Sequence, residues 1–330
     1  MYAVAGSVSN PLISVAGTPT PPISVLNGTT DAYFGTIKSD GTTNKFLRLN
    51  STLAGYTGNR ETVMDIKRSN TTPLVNAACP EYLITGYSTS TGSLSKPWIV
   101  KVNCEGNVQW SKLFIVSGLG EEMRVASMTQ SASGDAIYLC GLVKHESNVD
   151  YGFIARLDNV GNLIWIRKYG QTPPPAPSFF DRQSFKSIII NQYVRLVVCG
   201  TKYWHPVSAP NPSYSSTWVM EVNAATGATV TQNKLYSFAI ADCDSSGTHE
   251  YRNYLIGNEI REFNPQGDAN DAYYVSAVSR ITDPTFVGFN LNFHHQSVFR
   301  INTNTFDMNR HNVFNRLFWT TISLDIRQTG

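Results

Sequence analysis

The chain has 330 residues, a formal net charge of +2 and a charged fraction of only 15%. That balance gives no reason to invoke a nucleic-acid partner, and no basic run interleaved with aromatics makes a phosphate track. Frequent aromatics with abundant Thr, Ser, Asn and Gly point to a β-rich, polar-surfaced protein of secreted type rather than a helical cytosolic one. No stretch of about 20 apolar residues occurs, so no membrane-spanning helix is expected. The start, Met1-Tyr-Ala-Val-Ala-Gly-Ser, lacks a basic segment followed by an apolar one, so a signal peptide is not expected.

In chain order, the elements read as one pattern returning five times. Residues 2–6 form a short strand ending in Gly6. Tyr33-Phe-Gly-Thr-Ile-Lys-Ser-Asp-Gly41 is a strand running into a glycine turn, and residues 45–49 follow it as an edge strand. The next unit has strands at 61–66 and 82–86, then Trp98-Ile-Val-Lys-Val-Asn-Cys-Glu-Gly106, then 108–113. The third has 123–128, 137–141, Phe153-Ile-Ala-Arg-Leu-Asp-Asn-Val-Gly161 and 163–168. The fourth has 184–189, 196–200, Trp218-Val-Met-Glu-Val-Asn with Gly227, and 230–235. The fifth has 251–256, 273–277, Ser297-Val-Phe-Arg-Ile-Asn and a weak last strand near 306–310 that lacks the turn glycine. Residues 318–324 read as one further opening strand. A self-similar unit of roughly 55–80 residues signals a radial or stacked array.

Each unit therefore reads as four strands, a to d. Strands b are continuous apolar runs, suited to burial on both faces. Strands d alternate and carry Lys or Arg, which discourages edge-to-edge pairing. The c–d glycines supply the positive φ of a tight hairpin. The glycine that ends strand b is expected to leave room where neighbouring sheets crowd. The aromatic that opens strand c is expected to act as a wedge between sheets. The chain opens on a b strand and reaches a final a strand, so the last strand supplies what the first unit lacks. The expected fold is an all-β, five-bladed β-propeller of four-stranded blades, closed by the C-terminal strand joining the N-terminal blade. Its single domain covers 1–330, with blades near 318–330 plus 1–50, 61–115, 122–169, 183–236 and 250–314. An excised piece of a larger propeller is the competing account.

The best-preserved repeats, 98–112 and 153–168, with the strands at 82–86 and 137–141, carry a recurring signature. They are the best matches to a pattern Asp-x-x-Gly-Asn-x-x-Trp-x-Lys preceded by Trp-Val-Val-Lys-Leu. This resembles the propeller repeats of secreted and surface proteins of Bacteroidetes bacteria. The other repeats are degenerate: Ser297 replaces the aromatic, Ala277 replaces the glycine, and no Trp follows Gly227. The resemblance implies an extracellular or cell-surface setting, or a place in a virus or appendage particle. It carries over no catalytic residue.

The five cysteines are odd in number and loosely spaced, so they do not read as a disulfide framework. Cys140 and Cys199 share one repeat position and read as small buried residues. Cys79 and Cys104 can pair or stay reduced. No cysteine pair has zinc-ligand spacing.

Long b–c segments (7–32, 87–97, 142–152, 201–217, 278–296) and d–a segments (51–60, 170–180, 237–249) put elaboration at one end of the strands. Long loops on a rigid scaffold are where binding usually resides. The candidate ligand-binding residues there are Tyr203, Trp204, His205, Tyr214, Phe293 and His294, suited to stacking on sugar rings or anchoring a protein. The aromatics can equally pin their own loops. His294 and His295 are adjacent on an extended segment and would face opposite ways, so no metal site is expected there. Acids open four a strands: Glu61, Glu122 (or Glu121), Asp181 and Glu250. A carboxylate pair at roughly 5–9.5 Å can hydrolyse a glycosidic bond, and several carboxylates together can hold Ca²⁺. The leading expectation is a non-catalytic binding, adhesion or structural module with a glycan or protein partner, free to serve as a subunit of a larger assembly and needing no cofactor. The alternative is a glycoside hydrolase using that acid ring.

Overall fold

The computed structural model describes residues 2–8, 12–13, 23–24, 31–49, 59–71, 79–90, 94–114, 122–144, 150–170, 182–204, 214–236, 252–263, 271–282 and 292–314. Among these the protein is all-β. The strands are β1 (Tyr2–Val8), β2 (Leu12–Ile13), β3 (Ile23–Ser24), β4 (Asp31–Ile37), β5 (Thr43–Leu49), β6 (Asn59–Arg68), β7 (Glu81–Ser90), β8 (Lys96–Asn103) and β9 (Val108–Leu113). They continue as β10 (Glu122–Gln130), β11 (Ala136–Lys144), β12 (Asp150–Asp158), β13 (Leu163–Tyr169), β14 (Arg182–Ile190), β15 (Arg195–Trp204), β16 (Tyr214–Asn223) and β17 (Thr229–Tyr236). The last are β18 (Arg252–Phe263), β19 (Ala272–Thr282), β20 (Asn292–Asn302) and β21 (Met308–Phe314). No helix in the described residues is long and apolar enough to cross a membrane.

Pairing follows the repeat. The orders β6-β7-β8-β9, β10-β11-β12-β13, β14-β15-β16-β17 and β18-β19-β20-β21 each make a meander, and β1-β4-β5 make a three-stranded sheet. Where registers are given, the meander partners are antiparallel. The expected fifth opening strand at 318–324, and with it the closing of the first sheet, lies outside the described residues. Residues 1–146 with 154–166 form one compact unit, and 147–153 with 167–330 form another.

In the first unit the core gathers Ala32, Phe34, Tyr82, Ile84, Trp98, Val100, Val102 and Cys104. A disulfide joins Cys79 to Cys104 beside it. In the second unit Val197, Cys199, Val219, Ile260, Tyr273, Val275, Phe299 and Phe306 pack together. Cys140 and Cys199 are buried free thiols, and burial pushes the Cys199 thiol well up from its ordinary range. Cys243 lies outside the described residues. The strand-c openers Trp98, Phe153 and Trp218 are all buried, and the two indoles donate to Ser111 Oγ (3.0 Å) and Asn233 Oδ1 (2.6 Å).

One device recurs that periodicity did not reveal. Every a–b hairpin of the four meanders carries one extra residue on strand a, at Met64, Ala126, Lys186 and Asn258. The bulge drives the strand-a backbone toward strand b. Opposite the residue just before it stand Gly86, Gly141 and Gly200. A methyl group on Gly86 or Gly200 would overlap the carbonyl oxygen of Thr62 or Ser184. The crowding that demands Gly86 and Gly200 is thus inside their own hairpin, not between sheets as expected. In the fifth repeat strand b has Ala277, and Gly257 opposite it is crowded instead by Thr217 and the Gly200 carbonyl oxygen of the neighbouring repeat.

A second correction concerns the last strand. It runs Met308–Phe314 rather than starting at 306, and Phe306 sits in the turn at φ 56°. Its turn matches that of Gly227. Asn223 and Asn302 cap the two turns through Oδ1, and Gly227 N and Phe306 N donate to their carbonyls. A left-handed bulky residue costs about 1–2 kcal/mol, and burying Phe306 completely outweighs that. The turns also lock onto the preceding repeat. Tyr169 Oη donates to Gly227 O and Tyr236 Oη to Phe306 O, each at 2.5 Å.

Candidate ligand pocket

The strands β14 to β17 present one face built from positions two apart. Gln183 stands opposite Lys202, and Lys202 opposite Ser216. Trp218 stands opposite Leu235, and Met220 opposite Asn233. Residues directly opposite share a face of the ladder, and positions i and i+2 share it along a strand. Over this face lies a pocket of about 430 Å³, whose remaining wall comes from Lys168, Tyr169 and Gly170 at the end of β13. That volume lies within the range of small-molecule sites.

Its geometry follows from local structure. Tyr169 is held by the bond to Gly227 and by Phe185, whose ring centroid lies 5.9 Å away. Phe185 in turn stacks on Trp218 at 4.6 Å. Burial pushes the Tyr169 phenol well up, so it stays neutral. Gly170 is at φ 145°, and a methyl there would press within 2.8 Å of both amide heteroatoms of Gln183. Gln183 is buried and Lys202 is nearly so, at 1% and 8% exposure. Lys168 is half-buried, with its ammonium 5.4 Å from the centre of the Tyr151 ring. Among the described residues the lining carries two lysines and no carboxylate.

The lining runs from the strand ends that carry the b–c and d–a segments, at Gly170, Gln183 and Lys202, to Thr229 beside the c–d turn. The binding residues expected from sequence differ in setting from the expected loops. Tyr203 and Trp204 lie on β15, and Tyr214 on β16, with Trp204 paired to Tyr214 and Tyr203 to Ser215. Tyr203, half-buried, directly follows the lining residue Lys202. Phe293 and His294 lie on β20, paired with Ile281 and Arg280. The physical reason is that strands b and c keep pairing past the glycine, through β-favouring residues such as Thr201, Tyr203 and Thr217. His205 lies outside the described residues.

Of the acids, Glu61 is buried on β6 opposite Ser88. Glu122 opens β10 and is engaged by Arg124 at 2.5 Å, by Ser95 Oγ at 3.2 Å and by Lys144 at 3.9 Å. Asp181 and Glu250 lie outside the described residues. Among the described residues no group of three or more His, Cys, Asp or Glu side chains is placed to hold a metal ion.

Sequence reasoning missed the lining residues Lys168, Gln183 and Lys202, although a signal was present. Lys168 carries it; Gln183 and Lys202 stand at positions that differ in every repeat. Lys168 stands where strands d of the second and fourth repeats have Leu113 and Leu235. Gln183 stands where the second has Glu61 and the third Met123. Lys202 stands where they have Ser88 and Val143.

A second polar cluster lies at the opposite strand ends of the same unit. Asn191 Nδ2 donates to Glu221 Oε1 and to Tyr273 Oη, and Gln192 donates to Glu262 and Asp271. Burial, together with the charges of Asp271 and Glu221, raises Glu262 to about 7 against the backbone hydrogen bond from Gln192.

No protein-family model matches this chain, and no curated protein matches it. Among solved structures, the chain is similar to one titled the crystal structure of the eukaryotic initiation factor, at 10% identity and a TM-score of 0.32. The similarity covers 90% of this chain, which spans 63% of that chain's length. A likeness of that size bears on neither fold nor function.

Proposed function

We propose that the protein is a non-catalytic binding module, a five-bladed β-propeller that takes its ligand at the end of the strands carrying the b–c and d–a segments. The propeller reading is supported by four repeated four-stranded meanders, the last three joined by single parallel bridges, and by a three-stranded sheet at β1, β4 and β5. It is supported too by a c–d turn that packs on strand d of the preceding repeat, as Gly161 does on Trp110. The reading of function rests on one observation: a pocket of about 430 Å³ on β14–β17 brings an indole, amides, hydroxyls and two lysines to one concavity. A glycan is the favoured ligand, because a concave site with amide, hydroxyl and ammonium groups beside an indole matches a sugar's alternation of polar and apolar faces. The setting is extracellular, on a cell surface or on a particle.

The test is a glycan array probed with the purified chain. Binding that survives dilution and is abolished by Gly170→Ala together with Asn233→Ala is the expected result. An array without signal, on folded protein, removes the reading. Stable co-purification with another subunit in its place would assign the protein a structural role.

A further inference from the structure

We infer that Glu262 is a pH-sensitive latch on the turn between β14 and β15, closed while its carboxyl is protonated and released as it ionises. Two pairs of repeats build the same contact with different chemistry. Ser69 N and Asn191 N bond back to the residue that opens strand b, and Asn70 and Gln192 follow them in the turn. Each of these next two N–H groups donates to strand a of the following repeat. Asn70 N reaches Gln130 Oε1 at 2.7 Å, and Gln192 N reaches Glu262 Oε2 at 3.0 Å. Gln130 and Glu262 share one register: they face Ile137 and Tyr273, each four residues before the small residue Gly141 or Ala277. The scaffold needs only an acceptor there, and a neutral amide supplies it in the third repeat. The fifth repeat uses a group that can ionise.

The surroundings of Glu262 oppose its charge. Its Oε1 is buried and has no hydrogen-bond partner. Tyr273 stands opposite it on β19 and accepts from Asn191 through its phenol oxygen. Asp271 accepts from the Gln192 side chain, and Glu221 on β16 accepts from Asn191. Arg195, at the start of β15, is engaged by Glu221, and Arg261 on β18 by Glu259. Tyr193 on the turn adds a second phenol, and β20 brings Phe299 and Ile301 to this core. Burial, then the charges of Asp271 and Glu221, raise the Glu262 carboxyl to about 7. Ionisation therefore sets a third carboxylate against the two that hold the turn's amide side chains. The turn itself is strained. Val194 lies at φ 56°, where the third repeat has Gly134 at φ 75°. Val194 is 69% exposed, so, unlike Phe306, it regains little by burial. The bonds from Gln192 to Glu262 and Asp271 keep that conformation in place.

The experiment is hydrogen exchange of the whole chain, read by mass spectrometry at pH 5 and pH 8 and corrected for the intrinsic effect of pH on exchange. Protection of the amides in 191–195 is expected to fall about fivefold from pH 5 to pH 8. Protection of the corresponding turn at 131–136 is expected to stay constant. Glu262→Gln installs the amide that the third repeat already uses, and is expected to keep 191–195 protected at both pH values. Circular dichroism confirms that the variant is folded. Wild-type protection at 191–195 that does not change with pH overturns the latch, even where the melting temperature moves. An equal fall in folded Glu262→Gln overturns it too. If Glu262→Gln does not fold, the two turns of the wild-type chain decide: a fall confined to 191–195 supports the latch, and an equal fall at 131–136 overturns it.

Discussion

At the scale of single residues, the hairpin glycines are set by backbone contact rather than by turn geometry. Gly86 and Gly200 face the bulge of their own hairpin, where a methyl group would strike a carbonyl oxygen that has no room to retreat. Gly86→Ala and Gly200→Ala are therefore expected to cost at least about 3 kcal/mol each in urea unfolding. Ala277→Gly, across from Gly257, is expected to cost less than about 1 kcal/mol, since this position already carries a methyl group and loses only its backbone restriction. Equal costs at the three positions would refute the bulge as the cause. Glu262 gives a second prediction. Its folded value of about 7 lies above the ordinary 4.5. Between those values the folded state binds more protons than the unfolded one, so stability falls as pH rises from about 4.5 to about 7. Because the group is only half-buried, the loss is on the order of 1 kcal/mol after solvent screening. Glu262→Gln is expected to flatten the dependence of the melting temperature on pH across that window. A wild-type protein equally stable at pH 5 and pH 8 would rule this out.

At the scale of elements, repeats solve one problem with opposite charges. In the second repeat Glu81 on strand b pairs with Lys101 on strand c at 2.7 Å; in the fourth, Arg195 on strand b pairs with Glu221 on strand c at 3.1 Å. The two pairs occupy the same register, five residues before the strand-b glycine and three after the strand-c aromatic. Lys101→Glu alone buries a second carboxylate beside Glu81 and is expected to cost about 3–5 kcal/mol. Adding Glu81→Lys is expected to recover at least half of that, because the fourth repeat accommodates the reversed polarity. A double-mutant cycle measures the coupling, and no recovery in the double variant would show the sites to be inequivalent. The same repeat logic explains what the sequence made legible. Strand positions were readable wherever an apolar run met a turn glycine, as at 82–86, 98–106 and 137–141. The bulges were not, because one inserted residue leaves the apolar pattern of a strand intact. Phe306 hid its turn because a buried aromatic reads as strand. The pocket was hidden for a different reason. Lys168 and Lys202 look like ordinary edge and loop charges until the register brings β13 and β15 to one cavity.

At the scale of the whole molecule, the repeats pose a question about edges. In the described residues β1 is an edge strand of a three-stranded sheet, where the other repeats have four. Residues 318–324 carry the pattern of strand a, with Phe318, Trp319, Ile322 and Leu324 as apolar positions. Under the propeller reading this segment pairs with β1, completes the fifth blade and covers an edge that would otherwise template association. Each of those four side chains contributes about 1.5–3 kcal/mol of gross burial, offset by about 1–2 kcal/mol of backbone entropy per ordered residue. Hydrogen bonds along the ladder add to the gain, and a net few kcal/mol is the scale to expect. Removing 315–330 should then lower the melting temperature by about 5–10 °C and make the protein associate through the exposed β1 edge, seen as a rise in light scattering on heating. Val4→Lys on the same edge, in the truncated chain, should suppress that association without restoring the melting temperature, since charge protects an open edge but replaces no strand. If the truncated chain melts where the full chain does and stays monomeric, 318–324 does not close the ring.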